Sequence, residues 1–195
     1  QVEPGDVVVV KGKTVVPEEK KVYLAFNKPR GIVCTAEKRE KNNVIDYLSY
    51  PVRIYPVGRL DKDSEGLLLM TNDGAIVNGI MRARNRHEKE YQVEVNKEIT
   101  PEFLKKMASG VPILDTVTRP CRIQKTGERS FTIILTQGLN RQIRRMCEAL
   151  GYRVTKLKRV RIMNIHLKDL KTGEYRPLTE KELAEQKKQI GEEKR

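Results

Sequence analysis

The sequence predicts an α+β fold in which a mixed, largely antiparallel central sheet is flanked by helices. The main observation is that predicted strands are joined both by hairpin turns and by helices, without the regular strand-helix-strand rhythm of a parallel sheet. The chain of 195 residues is also long enough to bury one substantial core or two small ones without disulfides or a structural metal. It contains no GxGxxG and no Walker loop, so no nucleotide cofactor is indicated.

The first segment, "QVEPGDVVVVKGKTVV", contains two short strands separated by turn residues. Two such strands bury too little surface to fold alone, so we expect residues 1–16 to be the C-terminal remnant of an upstream domain. The polar stretch 17–21 reads as a linker, and residues 22–185 form a new unit of strands and helices. A charged tail, which we expect to fray, occupies residues 186–195.

Turn residues, helix caps and apolar spacing set the boundaries within this unit. In the first half, we expect strands at 55–57 and 67–71 on either side of the "GRLD" loop, a turn at Asn72, Asp73 and Gly74, a helix with Ile76, Ile80 and Ala83, and a strand with Tyr91, Val93 and Val95. These are followed by a helix that begins at Thr100 and Pro101 and ends near Gly110, and by a hairpin of 121–124 with 130–136. The last expected elements are a helix over 141–150, capped by Asn140 and ended by Gly151, and a capping box from Thr179 to Glu182.

The strand that follows Gly151 contains an irregularity. Val154, Val160 and Ile162 share one parity, whereas Leu157 has the other. In a continuous strand Leu157 would be a lone apolar residue on a basic face. A bulge would instead reset the phase and return Leu157 to the core, and the period alone does not decide between these interpretations.

The balance of charge indicates a polyanionic partner. Lys and Arg number 39 against 26 Asp and Glu, which gives a net charge of +13, and the sequence pI is about 9.7. Between Arg141 and Arg161 eight basic residues face only Glu148. Such a surface attracts phosphate backbones. Because the chain has no Trp and only 5% aromatic residues, a wide stacking platform for single-stranded bases is not expected.

Cysteine and histidine usage argues against a metal site and for a reducing compartment. The three cysteines form no CxxC pair, and the two histidines lie far apart. No apolar run reaches the length of a membrane span, and no signal peptide opens the chain. We therefore expect a cytoplasmic monomer with no metal, no small-molecule cofactor and no membrane partner.

The acidic residues of "GRLDKDSEGLLLMTNDG", residues 58–74, stand out in so basic a chain. Asp73 lies in a turn where its side chain bonds nearby backbone, and Asp63 and Glu65 read as caps or solvated loop charges. Asp61 directly follows an apolar strand, where rigid neighbours hold a loop residue in place. The positive field favours its charged form, which suits a nucleophile or a base. The alternative is an aspartate that pairs with an arginine simply to hold the loop.

The same stretch resembles the signature of the pseudouridine synthases of the RsuA and RluB/E/F type, because it matches G-R-L-D-x-x-S/T-x-G-L-L in full. Three further stretches agree with that family: "NKPRG", "EKEYQV" and "GLNRQIRRMCEALGYRVTKLKRVRI". Together they span most of residues 22–178. Within the family, "RNRHEKEY", "GVPI" and "GLNRQIRRMC" are most similar to the synthase F branch, which modifies 23S ribosomal RNA of the large subunit. The start of the chain is similar to the end of the S4-like RNA-binding domain that these enzymes carry.

The resemblance implies the pseudouridine synthase catalytic fold and the isomerisation of a uridine in ribosomal RNA, without cofactor or metal, and it leaves open whether a tRNA is a second substrate. It places the catalytic aspartate on Asp61 and the tyrosine that packs on a flipped base on Tyr91. Arg144 matches the arginine that pairs with that aspartate. Leu157 matches the apolar residue against which the base packs, with Ile143 helping to line the pocket. For Leu157 this favours the out-of-phase interpretation over the bulge.

The resemblance also predicts which residues contact RNA. These are Arg59, Leu60, Lys62, Arg141, Gln142, Ile143 and Arg145. Three lysines are weaker candidates, because an exposed lysine is most often a solvated charge: Lys28, Lys89 and Lys156.

Two other functions are open on the sequence. A non-catalytic RNA- or ribosome-binding factor would account for the charge and the S4-like start alone. A glycosidase built on Asp61 and Asp63 would need a second carboxylic acid with a raised pKa in an apolar pocket, and the neighbouring Lys62 disfavours it.

Overall fold

Strands and helices alternate along the chain, and the computed structural model describes them for residues 8–10, 13–15 and 20–192. The strands are β1 (Val8–Val10), β2 (Lys13–Val15), β3 (Tyr23–Lys28), β4 (Tyr55–Val57), β5 (Glu65–Thr71), β6 (Lys89–Val95), β7 (Pro112–Ile113), β8 (Thr116–Val117), β9 (Arg122–Gly127), β10 (Ser130–Leu135), β11 (Val154–Ile162), β12 (Ile165–His166) and β13 (Tyr175–Pro177). The helices are α1 (Val44–Leu48), α2 (Gly74–Ala83), α3 (Pro101–Ser109), α4 (Gln142–Ala149) and α5 (Glu180–Glu192).

Within residues 20–192 a nine-stranded sheet has the spatial order β13-β3-β5-β11-β6-β10-β9, with β4 added to β5 and β12 to β11. The β5–β11 pair is parallel, and the other pairs of this sheet are antiparallel. The predicted α+β class with a mixed, largely antiparallel sheet is therefore confirmed. β1 and β2, which match the two short strands predicted in the first segment, pair antiparallel. The rest of residues 1–16, and 17–19 of the expected linker, lie outside the described residues.

Helices cover both faces of the sheet. Successive apolar side chains of its central strands point to opposite faces, so both faces present apolar surface that the helices bury. On β5, Leu68 and Met70 pack with Val44 of α1, whereas Leu67 and Leu69 pack with Ile76 of α2. We call the side of Leu68 and Met70 the front face and the opposite side the back face. α1, α3 and α4 cover the front face, and α2 and α5 cover the back face.

Most predicted elements have the expected cause. Asp73 caps α2 by accepting a hydrogen bond from the backbone N–H of Ala75 at 3.1 Å. Thr100 caps α3 in the same way through Phe103, with Pro101 at the start of the helix. The predicted capping box is also present, since Thr179 and Glu182 exchange hydrogen bonds of 2.9 and 3.0 Å.

The irregularity in β11 is a bulge. The register of β11 with β6 shifts between Val154 and Lys156, so that Thr155 has no partner and Leu157 lies opposite the buried Val93. Leu157 is 7% exposed and packs in the front-face core. The out-of-phase interpretation, with Leu157 alone on a basic face, is therefore wrong.

Helix α4 begins without the expected cap. Its N-cap is Arg141, which has a left-handed backbone conformation (φ 48°) and makes no side-chain capping bond. Asn140 is used elsewhere, because its main-chain and side-chain oxygens accept hydrogen bonds from Arg145, both at 2.9 Å. The predicted ending is present, since Gly151 adopts φ 82° and bonds back to Glu148.

The C-terminal segment is not a frayed tail over the residues that the structure describes. Helix α5 continues to Glu192, with Gln186 and Ile190 buried. Ile190 packs so closely on α2 that a Cβ at Gly79 would lie 2.5 Å from its Cγ2. The expected start of a separate tail at residue 186 is therefore wrong.

Candidate active site

The loop between β4 and β5, residues 58–64, lies on the front face. Gly58 begins the loop with a φ of 76°, a conformation that side chains other than glycine rarely adopt. Leu60 is 6% exposed and packs into the core with Leu68 and Met70. Its burial anchors the loop and leaves the Asp61 side chain 38% exposed. Leu60 was predicted to contact RNA, and the structure places its side chain in the core beneath the loop.

Two buried cations hold the main chain of this loop. Lys28 is fully buried, and its Nζ donates to the carbonyls of Pro29 and Ile32 at 2.9 and 2.7 Å and to that of Lys62 at 3.5 Å. Burial lowers the pKa of the Lys28 ammonium to about 8. The expectation that Lys28 is an exposed lysine is therefore wrong.

Arg159 supports the other side of the loop. It is 6% exposed, and its Nε donates to the Leu67 carbonyl at 2.8 Å while Nη1 donates to the Arg59 carbonyl at 3.3 Å. The carbonyls of residues 59 and 62, on either side of Asp61, thus each accept a hydrogen bond from a buried cation on a different strand. This arrangement places the Asp61 carboxylate through main-chain contacts.

The two aspartates of the loop have different partners. Asp63 binds Arg141 through two parallel hydrogen bonds of 3.0 and 2.9 Å, which lower the pKa of its carboxyl. Asp61 lies 3.4 Å from the same guanidinium. Both oxygens of Asp63 are therefore engaged, while Asp61 has a looser ion pair and a more available carboxylate.

Arg144 occupies a different position from the one predicted. Its buried guanidinium donates to the Asp63 carbonyl at 2.9 Å and to Ser64 Oγ at 3.1 Å, and lies 3.6 Å from the Asp63 carboxylate. The expected ion pair between Arg144 and Asp61 is not formed. Arg141, three residues earlier at the N-cap of α4, pairs with Asp61 instead. Arg141 has a left-handed backbone conformation at the N-cap, and its guanidinium reaches the carboxylates of both Asp61 and Asp63.

Tyr91 of β6 lies on the front face, half-buried against the hydrophobic cluster that contains Leu157 and Ile143. In the β6–β11 register Tyr91 lies opposite Arg159, which bonds the Asp61 loop. The sheet therefore brings the predicted aromatic and apolar residues to the side of the sheet that supports Asp61. Leu157 and Ile143 are part of the packed core beneath Tyr91, not a separate exposed wall.

The predicted RNA-contacting residues divide by exposure. Arg59, Lys62 and Arg141 are exposed. Gln142 and Ile143 are buried, and Gln142 bonds Gln137 and the backbone of Leu139. Arg145 is half-buried and holds Asn140.

The two remaining lysines also differ. Lys89 donates to the carbonyls of Arg84 and Thr136 at 2.6 and 3.5 Å, and burial, followed by the nearby Arg159, lowers the pKa of Lys89 to about 8. Lys89 is thus not the solvated charge expected of it. Lys156 is about half exposed and lies 3.9 Å from Glu65 and 4.0 Å from Glu94.

Sequence reasoning missed Asp63, Ser64 and Arg159 as parts of the site. The signal for Arg159 was available, since it shares the parity of Leu157, and a bulge that buries Leu157 also turns Arg159 inward. For Asp63 no such signal exists, because its partner Arg141 lies 78 residues away along the chain.

The described residues contain neither a metal-binding cluster nor a membrane-spanning helix. Among residues 8–10, 13–15 and 20–192, His, Cys, Asp and Glu form no group suited to a metal ion. In the same part of the chain, the helices are too short or too polar to cross a bilayer.

Comparison with known proteins shows which family the chain resembles in sequence and in fold. The chain is 54% identical over 185 residues to the dual-specificity RNA pseudouridine synthase RluF of Escherichia coli, a match that covers 94% of this chain and 64% of RluF. It is 36% identical over 176 residues to the ribosomal large subunit pseudouridine synthase B of Bacillus subtilis, covering 86% of this chain and 72% of that protein. The chain thus spans less than two thirds of the length of RluF.

A solved structure of a pseudouridylate synthase superposes with a TM-score of 0.79 at 28% identity, covering 95% of this chain and 82% of the other. The nine-stranded sheet described above thus has the pseudouridine synthase fold. Residues 22–149, from the strand before the Lys28 turn to the end of α4, match the family profile described as RNA pseudouridylate synthase. The chain belongs to the RNA pseudouridylate synthase family.

Proposed function

We propose that this chain isomerises a specific uridine to pseudouridine in RNA, with 23S ribosomal RNA of the large subunit as the principal substrate and tRNA as a second one. The observation that carries this proposal is the Asp61 carboxylate, which lies beside Arg141 on a loop whose main chain is bonded by two buried cations, on the side of the sheet that presents Tyr91. The basic surface, with a net charge of +13, supports RNA as the substrate.

In this reaction the N1–C1′ bond of the uridine breaks, the uracil turns, and a C5–C1′ bond forms. The proton on C5 is lost to solvent, and N1 takes up a proton, so no electrons or atoms are required from a cofactor. Asp61 acts as the ionised carboxylate, either by attack on the ribose or the base or by removal of a proton from the sugar. Arg141 stabilises its charge, since it lies 3.4 Å away.

The uridine must leave its stack to reach Asp61, so the site has to hold a flipped base. Tyr91 is half-buried and lies over the core that includes Leu157 and Ile143, which suits it to pack against a uracil ring. Arg144 then acts on the loop, because it bonds the main chain and side chain at residues 63 and 64.

The domain organisation belongs to the same proposal. Residues 22–185, extended to the end of α5, form the catalytic unit. Residues 1–16 are the end of an S4-like RNA-binding domain, joined by the linker at 17–21. Two short paired strands at the start are consistent with such an end.

The test is the pair of variants Asp61→Asn and Asp63→Asn. Activity is measured as tritium release from C5-labelled uridine in unmodified ribosomal RNA and tRNA transcripts. Asp61→Asn should lower the rate by at least about 10³-fold while RNA binding persists. Asp63→Asn should retain measurable turnover, because the Asp63 carboxylate accepts hydrogen bonds from Arg141 and does not itself react. Full activity of Asp61→Asn would contradict the proposal.

The same assay separates the two alternatives. A non-catalytic RNA-binding factor would release no tritium in the wild-type protein. A glycosidase would release free uracil and leave no pseudouridine in the RNA. The hydrogen bonds from Arg141 lower the pKa of Asp63, which is the opposite of what the acid of a glycosidase requires.

A further inference from the structure

A polar cleft lies beside the catalytic loop on the front face, with a volume of about 430 Å³. Its floor is the start of β11 at Val154 and Thr155. Four arginines and two acidic residues form its walls: Arg30, Arg141, Arg144, Arg153, Asp63 and Glu148. The cleft therefore continues the site that contains Asp61, in the direction of the first turn after β3.

The positive charges of this cleft exceed the negative ones. Asp63 is already shared by Arg141 and Arg144. Arg30 and Arg153 form no ion pair with any residue that the structure describes, and the guanidinium of Arg30 donates only to the Thr155 carbonyl at 3.3 Å. Uncompensated charge inside a concave surface focuses the field and attracts anions.

The β11 bulge shapes the cleft. Thr155 has no partner in the ladder with β6, so its carbonyl is available to accept the hydrogen bond from Arg30. Arg30 follows Pro29 and precedes Gly31, whose N–H bonds the Lys62 carbonyl at 2.7 Å. One wall of the cleft is thus tied directly to the loop that carries Asp61.

We infer that the cleft binds a phosphodiester group of the RNA strand next to the flipped uridine, through the guanidinium groups of Arg30 and Arg153. Guanidinium forks match phosphate oxygens, and the cleft has no aromatic residue on which a base would stack. This inference rests on the proposed function and adds to it two arginines, Arg30 and Arg153, that are not among the residues predicted to contact RNA.

The test uses Arg30→Gln, Arg153→Gln and the double variant. Arg82→Gln is the matched control, because Arg82 is an exposed arginine on α2, which packs against the back face. Glu148→Gln tests the opposite sign, since it removes an exposed negative charge from the cleft wall. The probe is an unmodified large-subunit rRNA transcript, and the measurements are affinity against salt and phosphate-ethylation interference.

We expect the double variant to bind about tenfold more weakly at low salt. Its slope of log affinity against log salt should fall by about 0.7, the value for one phosphate contact on a single strand. It should also lose interference at one phosphate near the modified uridine. Arg82→Gln should keep the wild-type pattern, and Glu148→Gln should bind more tightly. Circular dichroism of each variant establishes that it is folded.

Two results would overturn the inference. In the first, the wild-type protein forms pseudouridine while the folded double variant keeps the wild-type affinity, salt slope and interference pattern; the proposed function then stands and the phosphate site does not. In the second, calorimetry shows that inorganic phosphate binds the wild-type protein but not the double variant, while RNA interference is unchanged. The cleft then holds a free anion. Failure of the wild-type protein to release tritium would instead refute the proposed function.

Discussion

Strand β11 meets its two neighbours in different ways. With β6 it forms an antiparallel ladder from Val154 to Ile162 that is interrupted by two register shifts and backed by a shared apolar core. With β5 it pairs in parallel only at Lys158 and Arg159. The Asp61 loop enters β5 at this short seam, and the polar cleft begins beside it.

The difference shows that side-chain hydrogen bonds replace backbone pairing between β5 and β11 next to the candidate site. At the β5–β11 seam the connection is completed by side chains, because Arg159 donates to two carbonyls of the β4–β5 region and Arg144 to the main chain at residue 63. The β6–β11 side is held by apolar packing and backbone pairing. Substitutions on the two sides should therefore act through different forces.

The largest expected effect is at Gly66, where the seam closes. A Cβ there would lie 2.2 Å from the Arg159 carbonyl oxygen, and the residue has φ 109°. Gly66→Ala should lower the free energy of unfolding by about 3 to 5 kcal/mol, measured by denaturant titration. Gly74→Ala is the control, since a Cβ at Gly74 meets nothing within 4 Å. Equal stability of the two variants would show that β5 and β11 can move apart at Gly66 and Arg159 without loss of stability.

The ladder side is tested at Leu157. Leu157→Ala should cost about 2 to 4 kcal/mol, because it removes a buried side chain from the core shared with α4. Leu157→Met, which keeps the volume, should cost less than about 1.5 kcal/mol. If Leu157→Ala leaves the thermal midpoint unchanged, Leu157 is not a core residue and the bulge does not bury it.

Arg159 tests whether the side-chain bonds at the seam position the loop. Arg159→Met leaves the carbonyls of Arg59 and Leu67 without their donor, at a cost of about 1 to 2 kcal/mol. On the proposed function, kcat for tritium release should fall more than KM rises, because the loop that carries Asp61 loses its support. A change in KM alone would indicate that Arg159 binds RNA and does not position the loop.

The smallest effect is the acid dependence of Asp63. Its pKa is lower in the folded state, so the folded chain binds fewer protons than the unfolded one between the two pKa values. The stabilisation is complete above the ordinary value of 3.8 and is lost as the pH falls through the folded pKa. Because the side chain is 39% exposed, solvent screening keeps the contribution below about 1 kcal/mol.

Asp63→Asn should therefore flatten the acid limb of the stability profile, measured by denaturant unfolding between about pH 2 and pH 6. Asp115→Asn, an exposed position between β7 and β8, controls for removal of a charge alone. An unchanged acid limb in Asp63→Asn would show that the Arg141 pair contributes nothing to folding.

Sequence patterns predicted the elements well where local chemistry decides them. The caps Asp73 and Thr100 act on residues two or three positions away, and the Thr179 box is equally local. Asn140 failed as a cap because Arg145, one turn into α4, uses both of its oxygens. The burial of Lys28 was also missed, because its ammonium bonds the Lys62 carbonyl, 34 residues away along the chain, which local sequence patterns do not reveal.

The site was predicted in part. Motif spacing identified the loop and the helix that approaches it, and Asp61 does lie beside an arginine. Which arginine it is could not be predicted from spacing, because Arg141 has a left-handed backbone that no sequence pattern indicated, and Arg144 bonds the main chain at residue 63 instead. A one-residue bulge at Thr155 likewise reversed the interpretation of Leu157.

The long separation between the Asp61 loop and its partners has a consequence for the order of folding. Asp63 and Arg141 are 78 residues apart, and Arg59 and Arg159 are 100 residues apart. Contacts that close such long loops form after local helices and hairpins, because the entropy of closure has to be overcome first. On a translating ribosome, the loop therefore emerges well before the strand that holds it. We expect the paired state of Asp63 to be among the last features of the nascent chain to appear.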